Sequence, residues 1–268
     1  MSDTGSHTDA GPTDPDAPLS VCAVSDKPSP ARALAISMSR LLWRRRAETW
    51  DREGSAGLAP VVDAVVADAR SAEGEVAVDL GCGSGQVTFP LARTCSHVLA
   101  VDIDTNAIEM LVDRARREGV ENIQAVAQPM ETLDLEAESV DLVVSNYALH
   151  HMRDADKRLL IERTVEWLRP GGRLVVGDMM FGRGTHRSDR EIIRQKVRTL
   201  GERGLGGWWR ILKNGWRFLL RFQEKPLRPD AWEAIVRESG FSNVRTARVV
   251  GEACVISARK PTGVASTV

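Results

Sequence analysis

Two kinds of hydrophobic pattern alternate along the middle of the chain. Short apolar runs bounded by glycine and polar residues predict buried β-strands, whereas longer segments with apolar residues every three or four positions predict helices. The predicted strands are Glu75–Leu80, His97–Val101, Ile123–Ala127, Val140–Ser145, Arg173–Gly177, Val244–Val250 and Ala253–Ala258. The predicted helices are Leu58–Ala69, Gln86–Thr94, Thr105–Glu118, Ala155–Leu168 and Pro229–Ser239. This alternation predicts a doubly wound α/β fold with a mostly parallel sheet, because parallel strands need crossover connections and these are right-handed.

The segments that flank this core differ from it in composition. Residues 1–30 are rich in Ser, Thr, Asp, Gly and Pro, so they bury too little apolar surface to offset the entropy of ordering, and a disordered tail is predicted. Residues 31–72 are predicted to form N-terminal helices. The first of them, over Ala31–Arg52, either covers a ligand site or packs with a solvated charged face. The main domain is predicted over residues 73–260, and residues 261–268 form a C-terminal tail.

Composition and charge exclude several classes of protein. The 268 residues suffice for one α/β domain with additions, and the net charge of −1 gives no overall attraction to nucleic acid or membrane. The cysteines are scattered without a CxxC pair, so neither a disulfide framework nor a metal site is predicted. No apolar run approaches the roughly 20 residues that span a bilayer, and the N-terminus lacks the pattern of a secretory signal. The expected location is therefore the cytoplasm.

A glycine-rich loop follows the first strand of the core, within Val76–Thr88. Asp79 lies near the end of the strand, and three glycines at alternate positions begin with Gly81. Such a loop lets a ligand approach the backbone, because glycine has no side chain and tolerates positive φ. The next strand is followed by Asp102, at the usual place of an acid that binds ribose hydroxyls. The combination is typical of a nucleoside-binding site, and its spacing differs from the G-x-G-x-x-G of dinucleotide-binding folds.

Further motifs follow the glycine loop along the chain. They are DLGCGSG at Asp79–Gly85, AVDID at Ala100–Asp104, VDLVVSNYALHHM at Val140–Met152 and LRPGGRLVVGDM at Leu168–Met179. In order and spacing they resemble the motifs of class I S-adenosylmethionine-dependent methyltransferases of the small-molecule or quinone type, which include methyltransferase domain types 11 and 25. The resemblance implies a Rossmann-like sheet of seven strands, closed by a C-terminal hairpin and with a helical insertion between strands five and six.

The resemblance also implies S-adenosylmethionine as the cofactor and assigns residues to it. Asp102 would accept hydrogen bonds from both ribose hydroxyls, and Ile103 would pack on the adenine. Gln128 stands where the family often has an aspartate for the adenine amino group, so this position departs from the family pattern. The complete implied set is Asp79, Gly81, Cys82, Gly83, Gly85, Asp102, Ile103, Gln128, Met130, Ser145 and Asn146.

Two adjacent histidines, His150 and His151, follow the fourth predicted strand and are the candidate catalytic residues. Imidazole titrates near neutral pH, so either ring could take a proton from an acceptor; the alternative is a structural histidine that bonds a loop carbonyl. Methyl transfer from a sulfonium depends mainly on alignment and exclusion of water, so the reaction does not require a strong catalytic constellation.

A basic insertion separates the fifth strand from the last helix at residues 182–226. It contains 12 Lys and Arg against 4 acids, a local charge of +8. Within residues 208–222, a basic residue at every third or fourth position forms a stripe beside a broad aromatic face. This pattern fits a buried helix whose arginines reach water, a lid over an apolar acceptor, or a helix that lies on a membrane surface.

The expected function is transfer of a methyl group by in-line displacement to a small acceptor that is apolar or lipid-like. The alternatives are a non-catalytic methyltransferase-like binding or regulatory protein, and an RNA methyltransferase that uses the basic insertion. Nucleic acid is the less favoured partner of the insertion, because its glycines and wide apolar face suit RNA poorly. Ser145–Ala148 also lacks the two prolines common in enzymes that methylate amide or exocyclic amino groups, which disfavours DNA adenine and protein glutamine as acceptors. The expected location includes peripheral contact with a membrane through residues 208–222.

Overall fold

The computed structural model describes residues 19–23, 55–182 and 225–263, together with helical positions 190, 191, 194 and 198. The predicted helix over 31–52, residues 208–222 of the insertion and most of the predicted N-terminal tail lie outside these residues. Within the described residues, no helix combines the length and the apolar character that crossing a membrane requires.

The described strands and helices follow the predicted order. The strands are β1 Val21–Ala23, β2 Val76–Leu80, β3 His97–Asp102, β4 Ile123–Ala127, β5 Leu133–Leu135, β6 Val140–Asn146, β7 Leu168–Met179, β8 Ser242–Val250 and β9 Ala253–Arg259. The helices are α1 Ser55–Ala69, α2 Thr88–Ala92, α3 Thr105–Glu118, α4 Asp154–Trp167 and α5 Pro229–Glu238. Short 3-10 turns lie at Met130–Thr132 and Leu149–His151.

Within the described part of the chain, seven of these strands form one sheet in the order β4-β3-β2-β6-β7-β9-β8. The first five in this order pair in parallel, and β9 is antiparallel to both of its neighbours. The predicted fold class is therefore confirmed. The chain leaves β2 towards β3 on one side and later returns to β6 on the other, so a crevice opens beyond the carboxyl ends of these strands.

The apolar sequence of the central strands explains their position. Every residue of β2 is buried, as expected for a parallel strand covered on both faces by helices. Helix α3 beside them presents a stripe of four buried residues, Ala107, Ile108, Leu111 and Ala115. The side chain of Asp104 caps this helix by accepting a hydrogen bond from the Asn106 amide, and Gly119 ends it with φ 68°.

Two features of the fold differ from the sequence expectation. Residues 19–23, within the tail expected to be disordered, are ordered: Val21 pairs with Leu135 in a small antiparallel sheet of β1 and β5, and the Leu19 carbonyl accepts a hydrogen bond from Gln124. The apolar Leu19 and Val21 side chains pack against the main core, which supplies the burial that the rest of the tail lacks. In addition, β7 starts at Leu168, five residues earlier than expected, with a register irregularity opposite Val140.

Candidate functional site

A cleft lies beyond the carboxyl ends of β2, β3 and β6, where the strand order reverses. Its walls come from the glycine loop after β2, the turn after β3, the 3-10 turn that precedes β5 and the turn after β6. The cleft is lined by Asp79, Gly81, Cys82, Gly83, Ser84, Gln86, Val87, Asp102, Ile103, Asp104, Ala107, Met110, Met130, Glu131, Asn146, Tyr147, Ala148, His151 and Met152.

The glycine loop is held tightly at Gly81 and is open at Gly83, in its middle. The amides of Gly81 and Cys82 both donate to the Val101 carbonyl, at 2.7 and 3.1 Å. A Cβ atom on Gly81, where φ is +76°, would lie 2.3 Å from the Cβ of Ala148. A Cβ on Gly83, where φ is +53°, would meet nothing within 4 Å. The loop therefore packs against the turn after β6 at Gly81 and leaves room for a ligand at Gly83.

Asp102 connects the glycine loop to the turn after β3. Its two carboxylate oxygens accept hydrogen bonds from the amide of Gly83 at 2.9 Å and from the amide of Asp104 at 2.8 Å. Burial raises the pKa of Asp102, and these amide bonds oppose that shift because they stabilise the charged form. The second oxygen of Asp104, Oδ2, is buried without a hydrogen-bond partner among the described residues. Asp104 as a residue lines the cleft.

Asp79 is 1% exposed and lies at the base of the cleft. Burial raises the pKa of its carboxyl to about 7, the hydroxyl of Thr88 lowers it by donating a hydrogen bond at 2.7 Å, and the charge of Asp102 raises it again. Near neutral pH this carboxyl therefore exists in both protonation states. A cation in the cleft would favour the ionised state.

The pKa of Asp79 predicts how stability depends on pH in the protein without ligand. Because the pKa rises from its usual 3.8 to about 7, the folded protein keeps a proton that the unfolded chain releases, and the free energy of unfolding contributed by Asp79 falls as pH rises from about 4 to about 7. In Asp79→Asn this contribution is absent, and the Asn oxygen can still accept from Thr88. Urea unfolding of both proteins across this pH range checks the prediction. If the free energy of unfolding changes equally with pH in the wild type and in Asp79→Asn, Asp79 is already ionised in the folded protein.

The charged groups that line the cleft favour a cationic ligand over an anionic one. Four carboxyl groups line it, those of Asp79, Asp102, Asp104 and Glu131, and no lysine or arginine occurs among its described lining residues. Such a lining attracts a cation and repels a pyrophosphate. The cleft thus agrees with the glycine spacing in disfavouring a dinucleotide.

The wall formed by the turn after β6 is more apolar than the walls that carry the carboxyl groups, and it contains a residue with a strained backbone. Tyr147, the chain's one tyrosine, has φ 51°, and its amide donates to the Gly177 carbonyl at 2.8 Å. Its side chain packs against Met179 and Phe181. Burial raises the pKa of its phenol, with Glu252 and Asp178 adding to the shift, so the hydroxyl remains a hydrogen-bond donor. A bulky residue at positive φ costs about 1–3 kcal/mol and is typical of functional sites.

The two histidines of the candidate catalytic pair occupy different positions. His151 lines the cleft, whereas His150 is only 2% exposed and lies behind it. The Nδ1 atom of His150 is 2.5 Å from Oδ1 of Asp178, which is completely buried at the end of β7. Of the two rings, that of His151 is the one in position to meet a ligand.

The structure brings most of the predicted site residues together. Four of them do not line the cleft: Gly85, Gln128, Ser145 and His150. Ser145 is fully buried, and its hydroxyl donates to the Leu80 carbonyl at 2.8 Å between β6 and β2. The amide of Gln128 donates to the Asp102 carbonyl at 2.8 Å, and Gly85 lies so close to the Phe89 ring that a Cβ would be 2.8 Å from it. These residues support the walls of the cleft.

Sequence reasoning missed several residues of the site. Asp104, Met110 and Glu131 line the cleft, and Asp178 pairs with His150 behind it. The sequence could have indicated Asp104, because an Asp immediately before a predicted helix is a typical N-cap and therefore lies next to the preceding loop. The indication for Asp178 was weaker: a carboxylate near the end of a buried strand requires a partner, but the sequence does not say which one.

Comparison with known proteins agrees with the motifs and the sheet order. Residues 77–172 match the family model described as a methyltransferase domain. This domain belongs to the class I S-adenosylmethionine-dependent methyltransferases. The matched residues include the glycine loop, Asp102 and both histidines.

Named relatives of this methyltransferase domain have different acceptors. A phosphoethanolamine N-methyltransferase from Triticum aestivum is 34% identical over 113 residues, which cover 41% of this chain and 22% of that protein. The aklanonic acid methyltransferase DauC from a Streptomyces strain is 32% identical over 142 residues, 51% of this chain and 63% of that protein. The chain therefore spans only part of the length of the curated relatives it matches.

The fold also matches solved methyltransferase structures. The 1,6-didemethyltoxoflavin-N1-methyltransferase from Burkholderia thailandensis, solved with bound 1,6-didemethyltoxoflavin and S-adenosylhomocysteine, superposes with a TM-score of 0.60. The match covers 96% of this chain and 98% of that one at 18% identity, which shows a shared fold.

Proposed function

We propose that this protein transfers a methyl group from S-adenosylmethionine to a small acceptor that is apolar or lipid-like. The observation that carries the proposal is the carboxylate-lined cleft in which Asp102 connects the Gly83 amide to the turn after β3. Bound S-adenosylmethionine would supply a methyl group on a positively charged sulfur, which leaves as the neutral thioether of S-adenosylhomocysteine. A cleft lined by four carboxyl groups suits such a cation.

The residues of the cleft fit the parts of this cofactor. The Asp102 carboxylate has two oxygens, which match the two neighbouring hydroxyls of a ribose. The open space at Gly83 admits a ligand against the backbone, and the buried Oδ2 atom of Asp104 can accept a donor that it lacks among the described residues. Asp79 would be ionised beside a cationic group. Each of these roles is part of the proposal.

The acceptor would meet the wall formed by the turn after β6. Tyr147 and Met152 give this wall an apolar surface, with Met179 and Phe181 packed behind Tyr147. This wall also contributes two polar side-chain groups to the cleft, the phenol of Tyr147 and the imidazole of His151. We propose that His151 takes the acceptor's proton. The acceptors named for the relatives, phosphoethanolamine, aklanonic acid and 1,6-didemethyltoxoflavin, are all small molecules, which supports this size class.

Calorimetric titration of the full chain tests the cofactor. We expect micromolar binding of S-adenosylmethionine and S-adenosylhomocysteine and no binding of NAD, because the carboxylates repel its pyrophosphate. Binding of NAD with no binding of either adenosyl ligand would refute the proposal. Methyl transfer to apolar phenols, quinols and amines, followed by mass spectrometry, then tests turnover. Tight cofactor binding with no transfer to any acceptor class would favour a non-catalytic binding protein.

A further inference from the structure

We propose that Asp178 and His150 are positioning residues, which orient the imidazole of His151 to take the proton of the acceptor. The inference rests on the proposed methyl transfer and extends it to two residues that do not line the cleft. It also gives different roles to two neighbouring histidines that sequence alone treats as equivalent.

The first step is the pairing of His150 with Asp178. Both side chains are buried, at 2% and 0% exposure, and the distance from Nδ1 to Oδ1 is 2.5 Å. The same oxygen accepts a hydrogen bond from the amide of Met179 at 2.8 Å, while the other, Oδ2, has no hydrogen-bond partner among the described residues. A buried carboxylate is costly unless it is paired. The hydrogen bond therefore fixes the rotation of the His150 ring.

The second step is the contact between the two imidazoles. The ring centroids of His150 and His151 are 3.9 Å apart, with an angle of 48° between their planes. The ring of Tyr147 approaches His150 edge-on, with the centroids 6.1 Å apart. A His150 ring that cannot rotate gives His151 a fixed surface to pack against. The orientation of the ring in the cleft is thus coupled to Asp178 through His150.

The backbone of the same turn is also fixed. Lys225 holds both histidine carbonyls. Its backbone amide donates to the His150 carbonyl at 2.6 Å, and its side-chain ammonium group donates to the His151 carbonyl at 3.2 Å. The carbonyl of Lys225 in turn accepts a hydrogen bond from the buried ammonium group of Lys157. Both the main chain and the ring of His151 are therefore constrained, which favours one geometry over many.

The chemistry explains why such a constraint is useful. An oxygen, nitrogen or carbon acceptor loses one proton for each methyl group that it gains. As the new bond to the methyl carbon forms, the bond from that carbon to the donor sulfur would break and leave its electron pair on the sulfur. The acceptor's bond to hydrogen breaks, its electron pair stays on the acceptor atom, and the proton moves to a ring nitrogen of His151. The imidazolium then releases the proton to water. Asp178 acts on this step only through the orientation that it gives to His151, since the His150 ring lies between the two side chains.

Imidazole NMR of the ligand-free protein tests the coupling without any acceptor. The chain has five histidines, so single His→Gln variants suffice to assign their ring nitrogen signals. In Asp178→Asn we expect both the His150 and the His151 signals to move, with the His97 signal unchanged. Asp178→Glu should restore them in part, because it returns the carboxylate. In the control Asp141→Asn, which removes a carboxylate that binds Arg169 and the Val76 amide elsewhere, neither signal should move.

The affinity for S-adenosylhomocysteine separates this inference from the proposed function. We expect Asp178→Asn to keep this affinity within about twofold, because Asp178 does not line the cleft. A change at His150 with no change at His151 would overturn the positioning role, even where the ligand binds normally. Failure of the wild-type protein to bind S-adenosylhomocysteine would instead refute the proposed function. If Asp178→Asn does not fold, His150→Gln carries the same test, because it removes the ring that pairs with Asp178 and should move the His151 signal.

Discussion

Replacement of Asp102 by alanine is expected to weaken S-adenosylhomocysteine binding by about 1.5–3 kcal/mol, or roughly 10- to 150-fold in Kd. This is the scale of hydrogen bonds to a charged group, and the ribose hydroxyls would lose their acceptor. The alanine also removes the carboxylate that binds the Gly83 and Asp104 amides, so both walls of the cleft lose a common support. Calorimetry at one pH and salt concentration measures the change.

Two further variants separate the ribose contact from the support of the loop. Asp102→Asn keeps one oxygen that can accept from an amide but loses the charge, so its affinity should fall between those of the wild type and Asp102→Ala. Asp113→Ala removes an exposed carboxylate from the neighbouring helix α3 and should bind normally. Unchanged affinity in a folded Asp102→Ala protein would show that the ribose assignment is wrong.

The position of Asp102 was predictable because it follows from the chain's order alone. An acid after the second strand of a doubly wound sheet must lie at the carboxyl edge, beside the loop after the first strand. Most element bounds were predictable because buried strands and amphipathic helices leave clear patterns, whereas the sheet of seven strands was expected from the family resemblance. The three-residue strands β1 and β5 were missed because so short a pairing has no periodicity.

Which of two neighbouring residues reaches the cleft was harder to predict. Ser145 and Asn146 are consecutive in β6, so their side chains leave the strand on opposite sides; Asn146 lines the cleft while Ser145 bonds to Leu80. His150 and His151 are also consecutive but lie in a 3-10 turn, and the His150 ring pairs with Asp178, 28 residues away in sequence. Contacts of that range are set by tertiary packing. The raised pKa of Asp79 likewise depends on complete burial, which the motif does not encode.

Gly81→Ala is expected to cause the largest loss of stability in the glycine loop, about 2–5 kcal/mol in the free energy of unfolding. Two costs combine at this position. The backbone has φ +76°, which is strained for alanine, and the added Cβ would lie 2.3 Å from the Cβ of Ala148. Relief requires the turn after β6 to move away, which would displace Tyr147 and His151 from the cleft. Affinity for S-adenosylhomocysteine should therefore fall together with stability.

Gly83→Ala is the matched control, because it has a similar φ of +53° but open space around the added Cβ. It should show only the backbone cost, about 1–2 kcal/mol. The double variant Gly81→Ala/Ala148→Gly removes the clash but keeps the strain, so it should recover part of the loss, with a coupling energy of about 0.5–3 kcal/mol. The single variant Ala148→Gly completes the cycle, and urea unfolding measures the wild type, the three single variants and the double variant. Equal losses in Gly81→Ala and Gly83→Ala, with no coupling to Ala148, would mean that the loop does not pack against the turn after β6, and the shape proposed for the cofactor cleft would be wrong.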